Sequence, residues 1–196
     1  MTSLEPMMIF NEWFHKAKKS DPDYFNACSL ATVGADGKPS SRIVLLKHAD
    51  EHGFVFYTNL NSRKSLEIKA KPYAAICFHW GGLKKQVRIE GSTELVSEEE
   101  ADEYFQSRPR GHRIGAWASR QSTPCKDSDL EKRVAYFTAK FGLGKIPRPD
   151  FWSGYRIKPR KIEFWEDRKF RLHVRTCYEF KENNWSQSWQ KERLYP

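Results

Sequence analysis

The sequence predicts a mainly β protein with peripheral helices, an α+β arrangement built around an antiparallel β-barrel. Short runs rich in β-branched and aromatic residues alternate with turn segments that contain glycine and proline. The chain has no repeated strand–helix–strand pattern and no G-x-G-x-x-G or Walker phosphate loop, which argues against a parallel nucleotide-binding sheet. Because the chain has 196 residues, we expect a single domain over residues 1–196.

The first half of the chain begins with a helix and continues as strands. Phe10, Trp13 and Ala17 recur at helical spacing, which predicts an amphipathic helix within residues 1–20. The β-branched runs that follow predict strands, and the glycines between them supply the positive φ that tight turns require. The predicted strands cover residues 27–33, 41–47 and 54–58, and the predicted turns cover 34–39 and 50–53.

The rest of the chain, from residue 62 onward, combines three short helices with further strands. Ser62 is a candidate N-cap for a helix over 63–70. Ser97 and Ser128 each precede a glutamate by three residues, which is the capping-box signature. The helix after Ser128 carries the apolar stripe Leu130, Val134, Phe137 and Phe141. The remaining predicted strands cover residues 73–80, 85–91, 155–157, 161–165, 171–180 and 189–194.

The net charge of the chain indicates which kinds of molecule it is expected to bind. Lysine and arginine number 34 against 25 acidic residues, for a net charge of +9. This excess favours anionic partners, which are nucleic acid, membrane surfaces or phosphorylated small molecules. The basic residues are interleaved with apolar ones rather than collected in a tail, which indicates folded surfaces and pockets. The 39% hydrophobic content is lean beside 14% aromatics, so we expect a partner chain or cofactor to complete part of the core.

The cysteines and the apolar runs indicate the cellular compartment of the protein. The four cysteines include no C-x-x-C pair and no cluster with His at zinc spacing, so no metal site is expected. The first ten residues do not resemble a signal peptide, and the apolar runs are too short to span a bilayer. We therefore expect a cytoplasmic protein.

Two basic motifs lie at predicted strand and helix ends. Arg42 and Lys47 bracket four apolar residues, and their odd separation puts them on opposite faces of a strand. Arg63 and Lys64 occupy the first turn of the helix after Ser62, where cations oppose the helix dipole. A phosphate held there by backbone N–H groups and both side chains would explain them. The alternative is that these charges simply face solvent.

Two later segments carry further candidates. Arg108 follows the helix that Ser97 begins, and cations suit a helix C-terminus without any function. Residues 109–111 are expected to break that helix, and 117–122 to form a polar loop. Arg171, His173 and Arg175 alternate within a predicted strand and would share one face. Three such groups together favour an anionic or electron-rich ligand over a place in the core.

Taken in order, several short motifs resemble the pyridoxine/pyridoxamine 5′-phosphate oxidase family. The resemblance runs from about residue 6 to residue 196, and each motif is modest while their ordered combination is specific. The motifs lie at residues 42–47, 57–58, 62–64, 86–88, 104–105, 107–109, 114–116, 121–122, 163–165 and 171–173.

The resemblance implies an FMN-binding split β-barrel that forms a homodimer, with FMN at the subunit interface. It implies oxidation of pyridoxamine or pyridoxine 5′-phosphate to pyridoxal 5′-phosphate, with dioxygen reoxidising the flavin to give hydrogen peroxide. Residues 155–196 would complete the site. The positive charge is then explained, because cofactor and substrate each carry a phosphate.

The resemblance also implies roles for individual residues. Arg171 and His173 match the catalytic pair over the substrate ring. FMN contacts are implied for Arg42, Ile43, Val44, Leu45, Tyr57, Thr58, Arg63, Lys64, Gln86, Gln121, Ser122, Trp165 and Arg175. Substrate contacts are implied for Lys47, Tyr104, Arg108, His112 and Leu172 in addition to the catalytic pair.

Two residues depart from the family pattern. His112 stands where the family usually has serine, and an imidazole still donates a hydrogen bond although it is bulkier and titratable. Val174 stands where the family usually has aspartate, between His173 and Arg175. Loss of that carboxylate would loosen the positioning of the neighbouring arginine.

Two other classes of function remain open from the sequence. One is a different split-barrel flavin oxidoreductase or reductase, which need not keep Tyr104, Arg108, Arg171 and His173. The other is a non-enzymatic module that binds pyridoxal 5′-phosphate, FMN or nucleic acid. The presence of all four residues favours the oxidase, with a small-molecule substrate and neither a nucleic-acid nor a membrane partner.

Overall fold

A computed structural model describes residues 4–183 and 186–196 of the chain. No helix in these ranges is long and apolar enough to cross a bilayer. The described elements are α1 (Glu5–Ser20), β1 (Ala27–Val33), β2 (Pro39–Leu45), β3 (His48–Asp50), β4 (Gly53–Asn59), α2 (Arg63–Ala70), β5 (Tyr73–Trp80), β6 (Lys85–Leu95), α3 (Glu98–Ser107), α4 (Arg110–Ala118), α5 (Asp129–Phe141), β7 (Trp152–Glu166), β8 (Val174–Asn183) and β9 (Ser186–Leu194), with 3₁₀ turns at Gly81–Leu83 and Lys169–Arg171.

The strands form one curled antiparallel sheet in the order β2-β1-β5-β6-β7-β4-β3, and β8 and β9 extend it from β7. The long strand β7 serves two neighbours along one edge, because residues 152–157 pair with β4 and residues 161–166 pair with β8. A bulge after Glu90 bends β6, and a Cβ on Gly91 would lie 1.9 Å from the carbonyl oxygen of Lys158. The predicted mainly β fold with peripheral helices is confirmed.

The main core lies between α1 and the concave side of the sheet. Phe10 of α1 is fully buried and packs edge-on against Phe54, with ring centroids 4.8 Å apart. Trp13 packs in the same manner on Phe164 at 5.2 Å. The apolar positions that predicted the first helix are therefore the ones that pack α1 against the sheet.

A second, smaller core lies beneath α4 and α5 and supports the candidate site. It consists of Phe105, Ile114, Ala118, Phe137, Ile146 and Trp152. Because Trp152 opens β7 and Phe105 lies in the last turn of α3, this core joins the sheet to the helices around it.

Most predicted elements agree with the structure, and α2 and β5 have the predicted bounds. Helix α4 was missed, because Pro109 and Gly111 were interpreted as helix breakers. Pro109 is instead the N-cap of α4, a position that needs no backbone N–H, and Gly111 lies in the first turn. Strand β3 was also missed, since its three residues are too few to show a period.

Four further expectations were wrong. Residues 155–157 and 161–165 belong to one strand, β7, that continues through Pro159. The strand predicted from residue 171 begins at Val174. The side chains of Ser62 and Ser128 make no capping hydrogen bond, whereas Ser97 accepts one from the backbone N–H of Glu100. The predicted stripe of α5 is largely exposed, and Phe137 is its buried residue.

Candidate active site

A cavity of about 300 Å³ opens where β2, β4, α2, α3 and α4 meet. Eleven residues that the sequence predicted for the site line it, seven from the cofactor group and four from the substrate group. The complete lining is Ile43, Val44, Leu45, Lys47, Tyr57, Thr58, Lys64, Tyr104, Arg108, His112, Gln121 and Trp152. Residues that span 43–152 in the sequence are thus brought to one place by the curl of the sheet.

Lys64 is a buried cation inside this cavity. Its Nζ donates to the side-chain oxygens of Thr58, Ser62 and Gln121 at 3.1, 3.2 and 3.2 Å. Within the described part of the chain it has no carboxylate partner. Burial and then the charge of Arg42 lower the pKa of Lys64 from 10.5 to about 8. A buried ammonium that is hydrogen-bonded but not neutralised suits an anionic ligand.

Arg42 and Arg63 share one buried carboxylate beside this lysine. Arg42 Nη2 lies 3.1 Å and Arg63 Nε 2.8 Å from the two oxygens of Glu67. Burial opposes ionisation of Glu67, but hydrogen bonds from two hydroxyls and both guanidinium groups outweigh it and lower its pKa to about 2. The backbone N–H of Arg63, at the start of α2, donates to the side chain of Ser122 at 3.2 Å. The two arginines are therefore held in place within the chain.

Lys47 and Arg108 are two further cations that line the same cavity. Neither forms an ion pair with any residue in the described ranges. Partial burial, followed by the charge of Arg108, lowers the pKa of Lys47, and burial lowers the pKa of Arg108. Arg108 Nη1 is buried without a hydrogen-bond partner. This unpartnered donor is available for a charge-assisted hydrogen bond to an anionic ligand. His112 of α4 lines the same cavity and is exposed.

Three aromatic rings stack against one another and form one wall of the cavity. Tyr57 and Tyr104 lie 3.9 Å apart at 14°, and Trp152 lies 5.4 Å from Tyr57 at 8°. The guanidinium of Arg108 lies 4.8 Å from the Trp152 ring, within cation–π range. Trp152 was missed from the sequence because it precedes the predicted strand over 155–157 and belongs to none of the motifs that pointed to the site.

Gly154 lets the backbone of β7 pass close behind this wall. It pairs with Tyr57 across the β4–β7 ladder. A Cβ on Gly154 would lie 2.8 Å from the Tyr57 ring and 3.0 Å from the side chain of Val96. The position of the tyrosine ring therefore depends on the absence of a side chain at residue 154.

The second group of predicted residues lies on β6, β7 and the start of β8. Gln86 is opposite Trp165, and Trp165 is opposite Arg175, so the three form one row across the strands. Arg175 is held by Glu163 through contacts of 2.9 and 3.1 Å, and these hydrogen bonds raise its pKa. With Val174 in place of the family aspartate, Glu163 supplies a carboxylate that fixes this arginine.

Arg171 and His173 precede β8 and do not lie on a strand, so the predicted alternation with Arg175 was wrong. Residues Phe170 and Arg171 have φ of 58° and 59°, which form a tight turn. Arg171 and Leu172 are exposed. The His173 ring lies 4.7 Å from Trp165, and its Nδ1 lies 3.1 Å from Asp167 Oδ1 and 3.2 Å from the backbone nitrogen of Arg168.

Among the described residues, the second group does not line the cavity that the first group forms. The lining of the 300 Å³ cavity includes none of Gln86, Trp165 and residues 171–175. The family resemblance placed both groups in one predicted site, whereas this cavity contains residues of the first group but none of the second.

Comparison with known proteins bears on both groups. Residues 14–139 match the sequence profile described as pyridoxamine 5′-phosphate oxidase, and residues 152–196 match the pyridoxine 5′-phosphate oxidase C-terminal dimerisation region. The chain belongs to the pyridoxine/pyridoxamine 5′-phosphate oxidase family. This confirms the resemblance seen in the sequence, and with it the oxidase activity and the FMN cofactor.

Individual members of the oxidase family agree over nearly the whole length. The pyridoxine/pyridoxamine 5′-phosphate oxidase of Sinorhizobium fredii (strain NBRC 101917 / NGR234) is 54% identical over 98% of this chain and 93% of its own. That of Brucella canis (strain ATCC 23365 / NCTC 10854 / RM-666) is 55% identical over 99% and 95%. Among solved structures, PhzG from Burkholderia lata 383, in complex with tetrahydrophenazine-1-carboxylic acid, superposes with a TM-score of 0.89 at 30% identity, over 97% of this chain and 92% of its own.

Proposed function

We propose that this chain oxidises pyridoxamine or pyridoxine 5′-phosphate at a site shared by two subunits, with dioxygen as acceptor and hydrogen peroxide as product. The observation that carries the proposal is the cavity in which Lys47, Lys64 and Arg108 converge without carboxylate partners among the described residues. Three unneutralised cations around one aromatic wall suit a reaction whose cofactor and substrate both carry phosphate. We also propose that residues 1–196 form a single domain. The cytoplasmic location of the protein stays a prediction.

The residues at one end of the cavity fit FMN. Lys64 and the start of α2 would receive its phosphate, because a helix N-terminus and a buried ammonium both favour an anion. Arg42 and Arg63, fixed by Glu67, would add charge beside it. Contacts are proposed along the flavin for Ile43, Val44, Leu45, Tyr57, Thr58, Gln121 and Ser122. When bound, FMN supplies the hydride acceptor of the reaction.

The residues at the other end fit the substrate phosphate. Lys47 and Arg108 would bind it through charge-assisted hydrogen bonds, and the free Nη1 of Arg108 is one donor available for this. Tyr104 and His112 would donate further hydrogen bonds from the wall and from α4. Since these groups recognise the phosphate, they set affinity and orientation but do not take part in the oxidation.

The second subunit would complete the site with its Gln86 and its residues 163–175. Gln86, Trp165 and Arg175 would contact the flavin, and Arg171, Leu172 and His173 would cover the substrate ring. The match of residues 152–196 to a dimerisation region supports this arrangement. The exposure of Ile43 and Leu172, at 66% and 67%, supports it too, because a partner would cover both.

The direct test is spectroscopic. The purified protein should be yellow and release about one FMN per chain on denaturation, and pyridoxamine 5′-phosphate in air should yield pyridoxal 5′-phosphate and hydrogen peroxide in equal amounts. Unphosphorylated pyridoxamine is the matched control, which should react poorly. A colourless protein that takes up no added FMN contradicts the proposal, as does equal turnover of the two amines.

The sharing of the site between subunits has its own test. Lys47→Ala and His173→Ala chains, each with a different affinity tag, are co-expressed and the mixed dimer is isolated. If the site is shared, one of its two sites carries both substitutions and the other carries neither, so about half of wild-type activity returns. If each site lies within one chain, activity stays at the mean of the two weak parent dimers.

A further inference from the structure

The guanidinium of Arg156 is largely shielded from solvent and contacts two separate parts of the chain. Its side chain on β7 is 12% exposed. Nη1 lies 2.9 and 3.1 Å from the two carboxylate oxygens of Asp50, and Nη2 lies 3.2 and 3.0 Å from those of Glu100. One arginine therefore holds two carboxylates in place.

The first carboxylate belongs to the segment that carries Lys47. Asp50 ends the short strand β3, which begins at the residue after Lys47. Its Oδ1 also accepts hydrogen bonds from the backbone nitrogens of His52 and Gly53 at 2.9 and 3.0 Å. Arg156 and the backbone of the following turn both hold Asp50 in place. The backbone at Lys47, three residues earlier, is therefore held in place too.

The second carboxylate belongs to the helix that carries Tyr104 and leads to Arg108. Glu100 lies on α3 one turn before Tyr104, and Arg108 is the C-cap of the same helix. Glu100 also accepts a hydrogen bond from the hydroxyl of Tyr57 at 3.4 Å, and Tyr57 stacks on Tyr104. A rigid helix transmits the position of its first turns to its last.

We propose that Arg156 is a positioning residue that sets the spacing between Lys47 on one side of the phosphate site and Tyr104 and Arg108 on the other. This inference rests on the proposed function, since it assumes that these three residues bind the substrate phosphate. Arg156 does not line the cavity that they share. It acts through Asp50 and Glu100, so its loss should change substrate affinity more than the rate of the bound complex.

The test compares Arg156→Met with Arg160→Met in the FMN-loaded enzyme. Arg160 lies on the same strand in an exposed ion pair with Glu182, at 3.1 Å, and is the matched control. Arg156→Met should raise KM for pyridoxine 5′-phosphate about tenfold, as for one weakened charge-assisted contact, with kcat changed less than twofold and FMN content unchanged. Arg160→Met should leave all three unchanged.

A double-mutant cycle separates positioning from a general loss of structure. If Arg156 acts through Arg108, then adding Arg156→Met to Arg108→Ala should raise KM less than threefold further. If the two effects multiply in full, or if Arg156→Met lowers kcat and leaves KM alone, the inference is wrong. Arg156→Lys keeps the buried charge but cannot contact both carboxylates in bidentate fashion, and it replaces the methionine variant if that chain fails to retain FMN.

The same experiment distinguishes failure of the inference from failure of the proposed function. If Arg108→Ala alone leaves KM for the phosphorylated substrate unchanged, the phosphate assignment fails and Arg156 has nothing to position. If Arg108→Ala raises KM and Arg156→Met does not, the phosphate assignment stands and the role of Arg156 is refuted.

Discussion

Replacing Lys64 by methionine should make the FMN-free protein more stable and its FMN binding weaker. Lys64 is 8% exposed and its pKa is lowered from 10.5 to about 8. A shift of this size corresponds to about 3 kcal/mol of unfavourable burial of the ammonium. Methionine has a similar length and carries no charge into the site.

The oxygens that Lys64 leaves behind keep other partners, so most of that free energy should be recovered. Thr58 still contacts Gln121 at 3.3 Å, and Ser62 still contacts Ser65 at 3.2 Å. We expect the free energy of unfolding to rise by about 1–3 kcal/mol at pH 7. Because the folded pKa lies below the unfolded one, the wild-type penalty is present in full below pH 8 and fades as pH rises toward 10.5. The difference between variant and wild type should therefore shrink above pH 8.

The same substitution of Lys64 should weaken the binding of FMN. Loss of one charge-assisted contact to phosphate costs about 1.5–3 kcal/mol, or roughly ten- to a hundredfold in the Kd of FMN. Urea unfolding of the FMN-free protein at pH 7 and pH 9.5 measures the first effect, and quenching of flavin fluorescence measures the second. Lys69→Met, on the exposed side of the same helix, is the control. A variant that is less stable than wild type at pH 7, or that binds FMN equally well, refutes the reasoning.

Four further outcomes are expected. Glu67→Gln should lower the free energy of unfolding by roughly 3 kcal/mol at pH 7, because it leaves two arginines unpaired. The loss should become smaller as the pH falls from 4.5 toward 2, since the wild-type carboxylate is then protonated as well, and urea titrations across that range check this. Lys47→Ala should raise KM for phosphorylated but not unphosphorylated substrate by ten- to a hundredfold, roughly the loss of one charge-assisted contact, which steady-state kinetics test. His173→Ala should keep FMN and the dimer but slow anaerobic flavin reduction about a hundredfold, and an unchanged rate would exclude a positioning role. Val174→Asp should leave activity equal or higher, with FMN content no lower.

Local patterns were enough to predict much of the fold, because the relevant signals lie within a few residues. The helix over residues 63–70 is bounded by Ser62 and Pro72, and the strand over 73–80 is a run rich in apolar and aromatic residues that Gly81 and Gly82 follow; both have the predicted bounds. Helix α4 was missed since proline and glycine are read as breakers in sequence, while at the first turn they are tolerated. Its position depends on the second core, which sequence periodicity does not reveal.

The site was predicted in outline but not in its pairings. Motif order led to eleven of the twelve cavity residues. The pairing of Arg42 with Glu67 joins residues 25 positions apart, and the contacts of Arg156 with Asp50 join residues 106 apart. Such contacts depend on strand order and register, and no local spacing encodes them. The turn at 170–171 was missed for a different reason, because its positive φ falls on residues other than glycine.

The close approach of Gly154 to Tyr57 has a consequence for how this chain can change over time. A side chain at position 154 and the ring at position 57 would compete for the same space. A substitution at either position therefore changes the free-energy cost of a substitution at the other. A methyl group at 154 would push the tyrosine ring toward the ligand, whereas the same methyl group beside a smaller residue at 57 would fill the space that the ring left. A change of cavity shape that uses these two positions therefore needs both substitutions, and the order of the two decides whether the intermediate protein still works.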